Sequence, residues 1–130
     1  MTVQTEAQEY IDKMARARGF VLDFHKVMAK HDYDVLRATD NLTRAAILHE
    51  RLLDMRTKEL LFIVSLVLTR GDRNDLATHI RSGLAIGLTP QEMLEAMEIV
   101  IPLAGVVLFK EGFEVWREVT EATGLEPTGS

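Results

Sequence analysis

Apolar side chains in the N-terminal third recur every three or four residues, which is the period of an α-helix. This spacing predicts a first helix over residues 5–17, ending at Gly19, and a second over residues 20–30. A third helix is expected to begin after Asp32 or Asp34. The positions expected to face inward are Tyr10, Met14 and Ala17 in the first helix, Phe20, Phe24, Val27 and Met28 in the second, and Leu36, Leu42, Ala46 and Leu53 in the third.

The segment DMRTKELLFIVSLVLTRGD, residues 54–72, is the most apolar part of the chain. Nearly every position from 60 to 68 is apolar, so periodicity alone does not distinguish a buried strand from a buried helix. Asp54 is suited to be an N-cap, and Gly71 is suited to end a helix. These two boundary residues favour a fourth helix.

Two further helices have clear local start signals. Asp72 is expected to cap a fifth helix that runs to Ile86 and ends at Gly87. The sequence TPQE, residues 89–92, combines a threonine N-cap, a first-turn proline and a glutamate at the third helical position, which predicts a sixth helix. The apolar positions that follow on one side of this helix are Met93, Met97 and Val100.

The last third of the chain is predicted to form one more long helix. Pro102 should kink or end the sixth helix, and the final helix should then continue to Gly124. The tail, residues 125–130, is expected to fray. We therefore predict a compact all-α fold of about six to seven helices in a single domain, residues 1–130. The stripe expected along the last helix consists of Val106, Phe109, Phe113, Trp116 and Val119 or Thr120.

Composition narrows the functional classes. The chain is 47% hydrophobic and 27% charged, as in a globular protein, and its net charge of −5 argues against a nucleic-acid partner. It has no cysteine, which excludes disulfides, thiolate zinc sites and thiol peroxidase chemistry. The polar, acidic N-terminus does not have the pattern of a signal peptide, and no apolar run reaches the ~20 residues of a membrane helix. We expect a cytoplasmic protein.

Two segments, residues 60–68 and 99–109, are apolar nearly all round. Such helices need to be covered on every side, whereas a chain of this size buries only about 68–70% of its unfolded surface. We therefore expect part of this surface to be buried between subunits of a homo-oligomer.

Most motifs that carry chemistry are missing. The chain has no phosphate-binding loop, no dinucleotide-binding glycine pattern and no nucleophile elbow. HERLL, residues 49–53, lacks the second histidine of a zinc-protease helix, and the four histidines have no ligand spacing. We expect neither a metal nor a cofactor.

A few polar residues around the apolar helices are candidates for acid–base chemistry. Asp75 and His79 are four residues apart on one helix, so the carboxylate could hold the imidazole in one tautomer, or the two could form a surface pair worth a few tenths of a kcal/mol. Glu59 could lie in a poorly hydrated place suited to proton transfer, or simply in a first helical turn that favours carboxylates. Arg70, Arg73 and Arg81 flank the His79 region and could bind a carboxylate.

The order of these features resembles the carboxymuconolactone decarboxylase family, which includes the alkylhydroperoxidase D-like proteins. The match is strongest over residues 52–120 and depends on TKEL at 57–60, His79, GLTPQEMLE at 87–95 and Ala104 followed by Gly105. The resemblance implies an all-helical fold that assembles into trimers or hexamers. In the peroxidase branch, a Cys-x-x-Cys pair precedes the histidine; those positions are Asp72 and Asp75 here, so that redox activity does not carry over.

The decarboxylase branch has no cysteine pair and keeps the histidine, as this chain does. The resemblance therefore implies a cofactor-free lyase, active on a small carboxylated or lactone-like compound in the catabolism of aromatic compounds. His79 would be the acid–base group and Glu59 a second proton-handling group. Arg81 or Arg70 would bind the substrate anion, with Asp75 also in the substrate site. The alternative is a non-catalytic oligomeric binding or stress-related protein that keeps the fold.

Overall fold

The computed structural model describes residues 3–124, with side chains described from Thr5 onward, and the tail predicted to fray lies outside this range. Over these residues the chain forms helices and no strand. Seven α-helices have nine or more residues, which confirms the predicted all-α fold of about six to seven helices. In chain order the elements are α1 (Val3–Arg18), α2 (Asp23–His31), α3 (Tyr33–Thr43), a π-helical turn (Arg44–Leu48), α4 (Met55–Leu68), α5 (Arg73–Ala85), α6 (Pro90–Glu98), α7 (Val100–Ala104) and α8 (Val106–Thr123).

The helices form two compact units, Met1–Leu52 and Leu53–Ser130, each with its own apolar core. A single domain over residues 1–130 stays a prediction. The core of the first unit consists of Ala7, Ile11, Met14, Ala29 and Leu36. The core of the second unit consists of Ile63, Val67, Leu76, Ala77, Ile80, Leu88, Met93, Met97, Val100, Val115, Trp116 and Val119.

The second helix begins three residues later than predicted. The Leu22 N–H donates to His25 Nδ1 at 3.0 Å, so this side chain caps the helix start and α2 begins at Asp23. His25 and Ala29 are the buried positions of α2, whereas Phe24 and Val27 are exposed. The predicted stripe is therefore wrong for Phe24 and Val27, because the face of α2 that packs against the unit is the one that carries His25 and Ala29. The predicted inward position of Ala17 in α1 is also wrong, since that residue is exposed.

The third helix departs from the prediction after its middle. Leu36 is buried as expected, but the position one turn later on the same face is Asp40, a buried carboxylate. The chain then widens into the π-helical turn, where the His49 N–H donates to the Arg44 carbonyl at 2.8 Å. Because a π-turn does not keep the 3.6-residue period, the stripe extrapolated beyond Thr43 is wrong at Ala46 and Leu53, which are exposed. Leu42, which precedes the turn, is exposed as well, because the buried face of α3 carries Leu36 and Asp40.

The second unit follows its local start signals. Residues 60–68 are helical, and the Asp54 carboxylate accepts from the Thr57 N–H at 2.8 Å, which confirms the predicted N-cap. Asp72 caps α5 in the same way. At the start of α6, Thr89 and Glu92 each accept a hydrogen bond from the other's backbone N–H, at 3.1 and 2.9 Å, which confirms the predicted capping box.

The break after the sixth helix agrees with the position of Pro102. That helix ends at Glu98, four residues before Pro102, whose ring lacks the N–H that would bond to the Glu98 carbonyl. Pro102 itself lies in the first turn of α7. The break before α8 is at Gly105, whose φ of +94° favours glycine. In α8 the indole of Trp116 is buried and donates to the Pro90 carbonyl at 2.9 Å, which joins α8 to the start of α6.

Part of the apolar surface of the second unit is not covered. The predicted stripe of α8 is wrong for Val106, which is exposed, and Leu103 in α7 is 85% exposed. No helix in the described range is long and apolar enough to cross a membrane. The exposed large apolar side chains of α4 and of residues 99–107 are Leu61, Leu68, Ile99, Leu103, Val106 and Val107.

Candidate active site

Glu59 and His79 meet between α4 and α5, two helices that pack directly against each other. The Glu59 Oε1 and His79 Nδ1 atoms are 2.7 Å apart, a distance typical of a charge-assisted hydrogen bond. Glu59 is only 5% exposed, and the imidazole is mostly buried as well. Glu59 is the fifth residue of α4, so it is not simply a first-turn carboxylate at the helix dipole. The structure therefore brings together the two residues that the sequence offered as catalytic.

Two neighbours hold this pair in place. The Phe62 ring stacks on the His79 ring, with their centroids 4.1 Å apart and their planes inclined by 26°. Gly83, one turn after His79 on α5, lies against the Glu59 side chain. A Cβ at Gly83 would lie 3.5 Å from Glu59 Cγ and 3.0 Å from Leu88 Cδ1, so the small residue lets α5 approach closely. Stacking and close packing limit the orientations open to both side chains.

The hydrogen bond defines what the pair can do chemically. A carboxylate at Nδ1 favours the tautomer in which Nδ1 carries the proton, and Nε2 is then the nitrogen that can take up or release one. Such a pair can act as a general acid–base group with an orienting carboxylate.

Asp75, the carboxylate that the spacing suggested as a partner of His79, lies in the first turn of α5. The carboxylate that contacts Nδ1 of His79 belongs to Glu59, from the neighbouring helix. The Asp75 N–H donates to the Asp72 carboxylate at 3.2 Å, in the cap of α5. Its role in substrate binding stays a prediction.

The role of the candidate arginines in substrate binding stays a prediction. Arg81 is two residues beyond His79, about 200° further around α5, and its side chain is exposed. Arg70 lies two residues beyond the end of α4, and its Nε lies 3.3 Å from Glu111 Oε2. Arg73, the third candidate, forms an ion pair with Glu118.

Sequence reasoning did not identify three residues that shape this region. Phe62 could have been found, since it lies three residues after Glu59 and so on a neighbouring position of the helix surface. Gly83 and Arg56 gave no local signal. Arg56 donates to the Gly87 carbonyl at 2.6 Å and to Glu92 Oε2 at 2.8 Å, contacts that join the start of α4 to the start of α6.

A second polar cluster lies in the first unit. The buried Asp40 carboxylate accepts from the Tyr10 hydroxyl at 2.6 Å, from Arg18 at 2.6 Å and from Arg44 at 2.8 Å. Burial opposes ionisation of Asp40, but these three hydrogen bonds outweigh it and hold the pKa of Asp40 below its ordinary value. Burial and the hydrogen bond to Asp40 raise the pKa of Tyr10 to about 12. The cluster therefore joins α1 to α3 through an ionised carboxylate.

Three comparisons with known proteins complete this description. Searches of curated proteins and of solved structures gave no significant match. The sequence profile of the Carboxymuconolactone decarboxylase family matches residues 33–118, about two thirds of the chain, and this range includes both Glu59 and His79. Within residues 3–124, no group of three histidine or carboxylate side chains is placed to hold a metal ion. The chain belongs to the carboxymuconolactone decarboxylase family, as a member without cysteine.

Proposed function

We propose that the protein is a cofactor-free lyase that removes CO2 from a small carboxylated or lactone-like compound. The observation that carries the proposal is the buried Glu59–His79 hydrogen bond of 2.7 Å, inside the range matched by the family. The family membership supports a reaction of this class, and the absence of cysteine in this chain argues against the thiol-based alternative. The proposal places the activity in the cytoplasm, in the breakdown of aromatic compounds.

The reaction needs a proton at one defined point. The bond between the carboxylate carbon and the adjacent carbon breaks, CO2 leaves, and the electron pair stays on the substrate as a carbanion delocalised into its carbonyl group. Protonated His79 then gives the Nε2 proton to that carbon. The imidazole recovers its proton from water, so the net reaction consumes one proton for each CO2 released. Glu59 is a positioning residue that holds the imidazole through the hydrogen bond at Nδ1.

Activity measurements on matched variants test these roles. CO2 release should be measured with small carboxylated lactones, beginning with carboxymuconolactone, for wild type, His79→Phe and Glu59→Met. General acid–base catalysis typically contributes about 10²–10⁴-fold, so we expect losses in this range for His79→Phe. His79→Phe preserves an aromatic ring beside Phe62, and Glu95→Met, at an exposed carboxylate on α6, is the control. Full turnover by His79→Phe would show that the assignment is wrong.

The same proteins distinguish the lyase from a non-catalytic binding protein. If small carboxylates raise the melting temperature of wild type and of His79→Phe equally, while neither protein releases CO2, the lyase proposal fails. Stronger stabilisation of wild type than of His79→Phe by the same carboxylate, together with turnover by wild type, supports it. The lyase and the non-catalytic binding protein are thus distinguished by whether His79 is needed for the reaction.

We also propose that the chain acts as a homo-oligomer, a trimer or a hexamer. The support is the exposed apolar surface of α7 and the start of α8, where Leu103, Val106 and Val107 are all exposed. Contiguous apolar surface of this kind marks association sites in soluble proteins. A subunit contact there would cover the apolar side chains of residues 99–109 that are exposed in the single chain.

A further inference from the structure

A cavity of about 260 Å³ lies in the second unit, at the C-terminal end of α4. Its apolar wall is formed by the side chains of Leu66, Val67, Leu76 and Val115, from α4, α5 and α8. Its rim carries Arg70, Arg73 and Glu111. The volume is slightly below the ~300–1,000 Å³ of typical drug-sized sites, so only a small molecule fits.

The backbone at Arg70 is unusual. Its φ of +54° makes it the one non-glycine residue in the described range with a positive φ. Gly71 N–H bonds to the Leu66 carbonyl at 2.8 Å and Arg70 N–H to the Val67 carbonyl at 3.2 Å, so Arg70 occupies the left-handed position that usually holds glycine after a helix. An arginine is strained there, and strained residues of this kind concentrate at functional sites. Arg70 therefore places a guanidinium at the cavity at a cost in backbone conformational energy.

The guanidinium groups on the rim are the groups that can bind an anion. Arg70 and Arg73 each pair with an exposed carboxylate, Glu111 and Glu118. Arg70 contacts Glu111 at 3.3 Å, and both side chains are more than half exposed, so this ion pair is weak and exchangeable. A ligand carboxylate could form two parallel hydrogen bonds with the planar guanidinium, which is a stronger contact than the single Nε contact to Glu111.

We propose that this cavity binds a small carboxylate with an apolar body, such as an aromatic acid. Arg70, assisted by Arg73, holds the carboxylate, and the apolar wall holds the body. The site is separate from the Glu59–His79 pair. Along α4, the fully buried Ile63 lies on the same face between Glu59 and Val67, one turn from each. The proposal goes beyond the lyase function and does not depend on it.

Methyl NMR with benzoate as the probe tests the proposal. Benzoate should shift the methyl signals of the four wall residues, with a Kd on the order of 1 mM, which corresponds to about −4 kcal/mol. Benzamide, its neutral counterpart, should bind about tenfold more weakly, because it cannot form a charge-assisted contact. No shift of these methyl signals at about 20 mM benzoate, well above that Kd, would overturn the proposal. Equal binding of benzamide would do so too.

Variants of Arg70 separate a binding role from a structural one. Arg70→Gly should raise the melting temperature, because glycine relieves the strained backbone, whereas Arg70→Ala keeps that strain. Both should weaken benzoate binding about tenfold, since both remove the guanidinium. Arg117→Ala, which removes an exposed arginine paired with Glu114, should leave binding unchanged. Benzoate binding that survives both Arg70 variants refutes the site.

A final variant separates this site from the proposed active site. His79→Phe should retain benzoate binding at the cavity, even though it abolishes the proposed lyase activity. If His79→Phe removed the shifts of the wall methyl groups, benzoate would be binding at the Glu59–His79 pair and the second site would be disproved. Failure of the lyase assay with intact benzoate binding would count against the proposed function alone.

Discussion

Replacing the Glu59–His79 pair by apolar side chains should cost the protein its activity and little of its stability. The perturbation is a cycle of three variants: Glu59→Met, His79→Phe and the double variant. Methionine has a length close to that of glutamate and suits a helix, and phenylalanine preserves the stack on Phe62, whose ring centroid lies 4.1 Å from that of His79. The double variant therefore removes the hydrogen bond while keeping most of the packing.

The structure gives the expected magnitudes. Each single variant leaves a mostly buried polar group without the partner that lies 2.7 Å away, which costs about 1–3 kcal/mol of the free energy of unfolding. The double variant leaves neither group, and replacing both partners of a buried hydrogen bond by apolar groups of similar shape can be nearly neutral or stabilising. The two single losses should therefore sum to about 2–6 kcal/mol, whereas the double variant should be near wild type or above it.

Urea unfolding followed by Trp116 fluorescence measures these values, because the one tryptophan lies buried in the same unit as the pair. Glu95→Met, an exposed carboxylate on α6, is the control for the substitution itself and should change stability by less than about 0.5 kcal/mol. A double variant whose loss equals the sum of the single losses, within about 0.5 kcal/mol, would show that the two side chains do not interact and would refute the reasoning.

Three further predictions concern other parts of the molecule. Because the pKa of Asp40 is lowered, its contribution to the free energy of unfolding should be full above about pH 4 and lost as the pH falls through the lowered pKa. Because the pKa of Tyr10 is raised to about 12, its contribution should be full below about pH 10 and lost as the pH rises through about 12. Asp40→Asn should remove the acid dependence in urea titrations followed by tyrosine circular dichroism, since both tyrosines lie in the first unit; an unchanged acid limb would contradict this. Gly112→Ala places a Cβ 2.7 Å from Val67 Cγ2. The overpacking, about 1–3 kcal/mol, should exceed the gain of about 1 kcal/mol in helix propensity, so the melting temperature should fall. A higher melting temperature would show that Val67 can move. Leu103→Glu should reduce the mass measured by light scattering to that of one chain, and a wild type that is already monomeric would refute the self-association proposal.

Local signals in the sequence were sufficient wherever one short segment determines the structure. Asp54, Asp72 and the Thr89–Glu92 capping box start their helices as predicted, because each cap is made within four residues. The all-α fold follows from these boundaries and from the helical spacing of the apolar residues. The family was identified from spaced motifs in the second unit, where most of these boundaries lie.

Features that depend on distant contacts could not be predicted in the same way. The partner of His79 is twenty residues away on another helix, so spacing suggested Asp75 where the fold supplies Glu59. The stripe of α3 fails at Asp40, because the burial of a carboxylate depends on arginines from α1 and from the π-helical turn.

The most direct test of the Glu59–His79 assignment is chemical rescue of His79→Ala by added imidazole. CO2 release from the carboxylated lactone is the readout, in proteins with and without Glu59. We expect His79→Ala to lose about 10²–10⁴-fold in turnover and to recover part of it as imidazole is added, because the small base can occupy the space beside Phe62 and Glu59. His79→Ala combined with Glu59→Met should not recover, since the orienting carboxylate is gone. Full turnover by His79→Ala, or a rate unchanged by imidazole, would contradict the assignment.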